Sequence, residues 1–210
     1  MNPIEEVAVS RGSDPVEDII VPPTMKVLHG LPKVFGPNDV LVRWEFEKAL
    51  EIIKKYLTTH RAFIILGHPG IGMTDLLPMD EHGALTYNSH CLGKTMLLYY
   101  ILALRLFNQQ PTIFQYRFDL MLLFDANGVS QVSPNSESIY SLKGMDVWAL
   151  VDSNESVATP AATLTRAASP FFLIMASSPL SSRWRVVEHY RPPTAYWYME
   201  PFTLEELFQA

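Results

Sequence analysis

The stretch Ala62-Phe63-Ile64-Ile65-Leu66-Gly67-His68-Pro69-Gly70-Ile71-Gly72 decides how the rest of the chain is read. Five apolar residues without alternation, closed by a glycine, form the pattern of a strand buried on both faces of a parallel sheet. Gly67 to Gly72 then supply the first six positions of G-x-x-x-x-G-K-[ST], but Met73-Thr74 stand where the Lys and Ser or Thr belong. The missing pair comes later, as Gly93-Lys94-Thr95, at the head of an apolar segment running to Phe107. There Met96, Leu97, Tyr100, Ile101 and Leu104 share one helical face. Without residues 73 to 93 the two halves would read Gly-His-Pro-Gly-Ile-Gly-Lys-Thr, a complete Walker A loop between a strand and a helix.

The pattern has a defined chemistry. Small residues let backbone N–H groups curl around a phosphate, and the helix N-terminus adds its dipole. The Lys ammonium reaches the β- and γ-oxygens, and the Thr hydroxyl holds Mg²⁺. Gly67, Gly70, Gly72, Gly93, Lys94 and Thr95 are therefore the expected phosphate-binding residues, with Thr95 also a metal ligand. His68 sits at a replaceable apical position.

Two origins are open for residues 73 to 93. The codons of Gly72-Met73 can contain GTATG, those of Ala84-Leu85-Thr86 can contain CTAAC, and those of Leu92-Gly93 can contain TTAG. These are a fungal-type splice donor, branch point and acceptor, and excision between them keeps the reading frame, so the segment reads as a retained intron. The alternative is a true loop insertion, tolerated because loop entropy grows slowly with length. A third reading of the same residues is a degenerate loop Asn88 to Thr95, with Asn88 in place of the first Gly.

Outward from this motif, strands alternate with helices. Trp44 to Leu57 is apolar at Trp44, Phe46, Ala49, Leu50, Ile53 and Leu57, with charged residues between, which predicts an amphipathic helix. Pro111 to Arg117 reads as a strand. Met121–Phe124 and Val129–Val132 flank an Asn127-Gly128 pair that predicts a tight hairpin turn.

The runs Val147 to Val151, Phe171 to Met175 and Ala195 to Met199 complete the strands, and Thr203 with Glu206 fits a capping box. The expected fold is α/β: a three-layer P-loop NTPase fold with a mainly parallel sheet and a β-hairpin insertion. Its domain covers 39–210, interrupted by 73–93, behind an irregular, Pro-rich and acidic extension at 1–38.

Trp148-Ala149-Leu150-Val151-Asp152 matches the Walker B pattern, placing Asp152 where it would hold Mg²⁺ through water. An ordinary turn-capping Asp is the alternative. Ser153 follows, where hydrolytic relatives of this pattern often carry Glu, so Glu155 is the remaining candidate to orient an attacking water. Ser177, ending its apolar run, is a candidate γ-phosphate sensor, unless it and Ser178 only start a turn. Arg183 and Arg185, flanking Trp184, read as solvated charges or members of surface pairs, with a phosphate contact as the alternative.

Sixteen Lys and Arg against 22 Asp and Glu give a formal charge of −6, which offers no global attraction to nucleic acid or an anionic membrane. One cysteine, Cys91, excludes an internal disulfide framework and suits a reducing compartment. The N-terminus lacks the basic start and apolar core of a signal peptide, and the apolar run Met96 to Phe107 contains Arg105 and is too short to span a bilayer. An intracellular chain, in cytoplasm or nucleus, is expected.

Together, Gly-His-Pro-Gly-Ile-Gly…Lys-Thr, Trp148 to Ser153, Ala176-Ser177-Ser178-Pro179 with Arg183-Trp184, and Tyr198-Met199-Glu200-Pro201-Phe202-Thr203-Leu204-Glu205-Glu206-Leu207 resemble the P-loop module of retrotransposon-hot-spot and Crinkler-type proteins of fungi and oomycetes. The resemblance runs from about Val40 to Leu207. It implies an ATP-binding module related to AAA+ and STAND ATPases, regulatory or motor in role, with Mg²⁺-dependent hydrolysis as a further expectation.

It also implies that a lid, a second sensor arginine and an effector domain would follow Ala210. The competing reading is a non-catalytic interaction protein whose split loop no longer binds nucleotide. Self-association and a protein partner are both open.

Overall fold

In the computed structural model the residues described are 4–6, 26–29, 39–67, 92–154 and 156–201. The continuous apolar runs become the central strands of a seven-stranded sheet. In chain order its members are β4 (Ala62–Leu66), β5 (Thr112–Arg117), β6 (Leu120–Asp125), β7 (Gly128–Val132), β8 (Trp148–Asp152), β9 (Phe172–Ser177) and β10 (Thr194–Tyr198). Their spatial order is β10-β4-β9-β8-β5-β6-β7. The first five are mutually parallel, and β6 and β7 extend the sheet as an antiparallel hairpin.

Every residue of β4, β8 and β9 is buried, as expected where both faces are covered. Alternate residues serve two cores. Phe63, Ile65, Leu150 and Ile174 pack under helices α1 (Trp44–Tyr56) and α2 (Leu92–Phe107). Ile64, Leu66, Val151 and Met175 pack on the other face with Ile139 of a 3-10 helix (Glu137–Leu142), Leu164 of α3 (Ala162–Thr165) and Val187 of α4 (Ser181–Tyr190). The result is helices, sheet, helices, the three layers of an α/β domain. No helix among the described residues is long and apolar enough to cross a membrane.

Helix α1 carries Glu45 and Glu47 in its first turn and Lys54 and Lys55 in its last, which complements the helix dipole. Arg105 does more than interrupt the apolar run of α2. It is 3% exposed, donates to Thr112 Oγ1 and Pro111 O (both 3.0 Å), pairs with Asp146 (3.2 Å), and lies 4.4 Å from the centre of the Trp148 ring. One guanidinium thus ties the end of α2 to the starts of β5 and β8.

Several local expectations change. The stretch 1–38 is not irregular throughout: β1 (Ile4–Glu6) and β2 (Lys26–His29) form an antiparallel three-stranded sheet with β3 (Asp39–Val42). In the hairpin, Asp125 pairs with Gly128, so Ala126-Asn127 form the turn and the left-handed residue is Gly128 (φ 110°). The Asp125 carboxylate accepts the Asn127 amide at 2.7 Å, which fixes the turn locally. Glu45 is 1% exposed, although its place between apolar positions reads as solvent-facing. The capping box at Thr203 and Glu206, and the segment 73–91, lie outside the described residues.

Candidate functional site

All five parallel strands end at one edge, and the polar residues predicted from separate stretches of sequence meet there. Gly67 leaves β4 directly beneath the exit of β10, where Met199 N donates to Leu66 O at 2.7 Å. A Cβ at Gly67 would meet Met199 O at 3.1 Å and Met199 Cβ at 3.4 Å, so the exit of β10 would have to give by a few tenths of an ångström to admit a side chain. From the first turn of α2 the Lys94 ammonium reaches back and donates to Gly67 O at 3.1 Å. Lys94 is 9% exposed, its stem lying along Gly67.

Thr95, beside it, donates its hydroxyl to the Asp152 carboxylate, 3.2 Å from both oxygens and 57 positions away in sequence. Asp152 is the last residue of β8 and pairs in register with Ala176 of β9, while Ser177 pairs with Leu66 of β4. Strand β9 therefore lies between the strand that begins the loop and the strand that carries the acid. Its terminal Ser177 is fully buried, and its hydroxyl has no hydrogen-bond partner among the described residues. Burial pushes the Asp152 carboxyl above the ordinary aspartate value, and the hydrogen bonds from Thr95 and Asn154 and the charge of Lys94 oppose that shift.

The loop after Asp152 is held on three sides. Ser153 donates its hydroxyl to Val157 O (3.0 Å) and its amide to Ala176 O (2.9 Å). The Asn154 side chain donates to Tyr116 O (3.2 Å) and accepts the amides of Ser156 (2.8 Å) and Val157 (3.0 Å). Arg183 is neither a solvated charge nor part of a surface pair: its Nη1 donates to Ser153 O (3.2 Å) and Asn154 O (2.9 Å). Arg185 reaches only Ser181 Oγ, at 3.5 Å.

A second tether was not anticipated from sequence. The buried Arg43–Glu45 pair (3.1 Å) receives the Glu200 amide on Glu45 Oε1 (2.7 Å) and donates from Arg43 to Glu200 O (3.3 Å) and Pro201 O (3.2 Å). It fixes the chain leaving β10 just beyond its contact with Gly67. The only sequence sign is an Arg and a Glu two positions apart at a helix start, which ordinarily faces water.

Gly67, Lys94, Thr95, Asp152 and Ser177 thus share one edge, with Gly93 in the first turn of α2. Gly70, Gly72, His68 and Glu155 lie outside the described residues. The crevice is also a switch in topology. The chain leaves β4 by way of α2 on one face and later crosses to β10 by way of α4 on the other. Open α/β sheets bind ligands at the carboxyl ends of strands at such points. No family model matches this chain, and no match was found among curated proteins or solved structures.

Proposed function

We propose that this edge binds a nucleoside triphosphate with Mg²⁺, as an ATP-binding P-loop module of the kind the sequence resembles. The observation that carries the reading is the Thr95–Asp152 contact: a hydroxyl at a helix head and a buried carboxylate at a strand end, 57 positions apart, meet at 3.2 Å beside a Lys turned back onto the first glycine of the loop. A buried carboxylate with a raised pKa and a Ser hydroxyl without a partner are destabilising in isolation and fit a cationic, oxygen-rich ligand.

In this reading Lys94 would hold the terminal phosphates, Thr95 and Asp152 the Mg²⁺, and Ser177 a terminal phosphate oxygen. Mg²⁺ supplies charge neutralisation across the phosphate oxygens. The chain's own residues would position those oxygens around Asp152, which is 7% exposed. Ser153 favours binding over rapid hydrolysis, because the residue after Asp152 donates its hydroxyl to Val157 O within its own loop.

The test is equilibrium unfolding of the chain with and without Mg-ATP. At 100 times its dissociation constant the ligand should add about 2.7 kcal/mol, and Lys94→Ala should remove that gain. A gain that survives Lys94→Ala refutes the assignment, and no gain in the parent chain supports an interaction protein with an inactive loop.

A further inference from the structure

At the opposite edge of the sheet, where β4, β9 and β10 begin, lies a cavity of about 260 Å³. Leu57, Phe171 and Phe172 form its apolar side, and His60, Arg61 and Arg191 its basic side. No acidic side chain is among the described residues that line it.

Arg191 is 1% exposed. It donates to Arg166 O (3.3 Å), Ser169 O (2.6 Å), Arg61 O (3.1 Å) and Phe171 O. All four acceptors are backbone carbonyls, and among the described residues it has no carboxylate partner. Carbonyl dipoles take up N–H groups of both Nη atoms without cancelling the charge. Desolvation, and after it the nearby Arg61 charge, lower its pKa to about 10, so the guanidinium stays positive at neutral pH.

Arg191 Nε and the hydroxyl of Ser169, which is 3% exposed and also lines the cavity, have no hydrogen-bond partner among the described residues. Arg61, at the exposed rim, donates Nη1 to Ala167 O at 2.9 Å, and its other guanidinium nitrogens have no partner among the described residues. A net positive field, fixed donors and an apolar wall in one recess are the elements of an anion site.

We propose that this cavity is a second ligand site, separate from the phosphate loop, that takes a small oxyanion bearing phosphate or carboxylate oxygens. Its volume is below the roughly 300–1,000 Å³ of pockets for drug-sized ligands, so the occupant is inorganic phosphate or a compact organic acid and not a nucleotide. Arg61 is the gripping residue, while Arg191 supplies charge from the floor.

The experiment is calorimetric titration of the full chain in a Lys94→Ala background, so that the phosphate loop does not contribute. Inorganic phosphate and citrate are the two probes, at ionic strength held constant with chloride. Saturable binding of either probe is expected, weakened about tenfold or more by Arg61→Gln through loss of a charge-assisted contact. Binding of phosphate alone assigns the site to phosphates, and binding of citrate extends it to carboxylates. If neither probe saturates, or if Arg61→Gln leaves the affinity unchanged while the variant keeps its unfolding midpoint, the proposal is overturned. Because Lys94 is already replaced, neither result depends on whether the loop binds nucleotide.

Discussion

At the C-terminal edge of the sheet a buried cation, Lys94, lies beside a buried acid, Asp152, and the Ser177 hydroxyl, which has no partner among the described residues. At the N-terminal edge a buried cation, Arg191, sits among four carbonyls drawn from the starts of β4 and β9 and the chain before β9. The first sets a buried acid beside the cation and leaves one hydroxyl without a partner among the described residues, whereas the second holds its cation on carbonyls and leaves Arg191 Nε and Ser169 Oγ without one. Imperfect satisfaction lowers the stability of the folded chain, and a ligand can recover it. Each edge therefore holds groups that a ligand could satisfy, but only the second also staples the strands, so losing its cation is expected to cost the folded chain more.

The largest effect should come from the staple. Arg191→Leu removes four hydrogen bonds, at about 1 kcal/mol each, of which those to Arg61 O and Arg166 O leave carbonyls that still accept the Leu173 and Ser169 amides, and should lower unfolding free energy by about 3–4 kcal/mol. A shift of the urea midpoint with an unchanged slope would show it. Lys94→Ala comes next: the roughly 2.7 kcal/mol gain from Mg-ATP at 100 times its dissociation constant should vanish, read as the difference between the midpoints with and without ligand in the same variant.

Gly67→Ala should cost about 1–2 kcal/mol, because the new methyl meets Met199 O at 3.1 Å and the exit of β10 must shift. If thermal unfolding shows no loss, the crossing is looser than described.

The smallest effect has the opposite sign. The folded Asp152 holds its proton above the unfolded value of about 3.9, so ionising it costs stability as pH rises from that value through the folded pKa. Asp152→Asn should therefore make the ligand-free chain more stable at pH 7 and show no advantage below pH 4, while Mg²⁺ no longer strengthens nucleotide binding. A variant less stable than the parent at pH 7 would break the contrast between the two edges.

Much of the sheet was legible because its strands are buried on both faces. Ala62–Leu66, Trp148–Asp152 and Phe172–Ser177 are uninterrupted apolar runs for that reason, and each ends where a polar residue reaches the edge. The head of α2 was legible through Lys94 and Thr95. Arg105, Arg191 and Glu45 were not, because a charged side chain reads as solvated unless its partners are known, and those partners lie far off in sequence or on the backbone. The true turn residues of the hairpin were missed because Asp125 captures the Asn127 amide, so the left-handed position passes to Gly128.

The sequence by itself determined the elements and the split loop motif, since periodicity and a glycine-rich strand end are local properties of the chain. It also supplied the residue types that phosphate and Mg²⁺ chemistry would use. Only the tertiary structure decided that β9 runs between β4 and β8, which puts Ser177 between Gly67 and Asp152. Strand order rests on pairings between distant segments, and parallel strands of similar apolar composition carry no local mark of which neighbour each will take. The basic cavity at the far edge belongs to the same category, because His60, Arg61 and Arg191 meet only after three strands have been laid side by side.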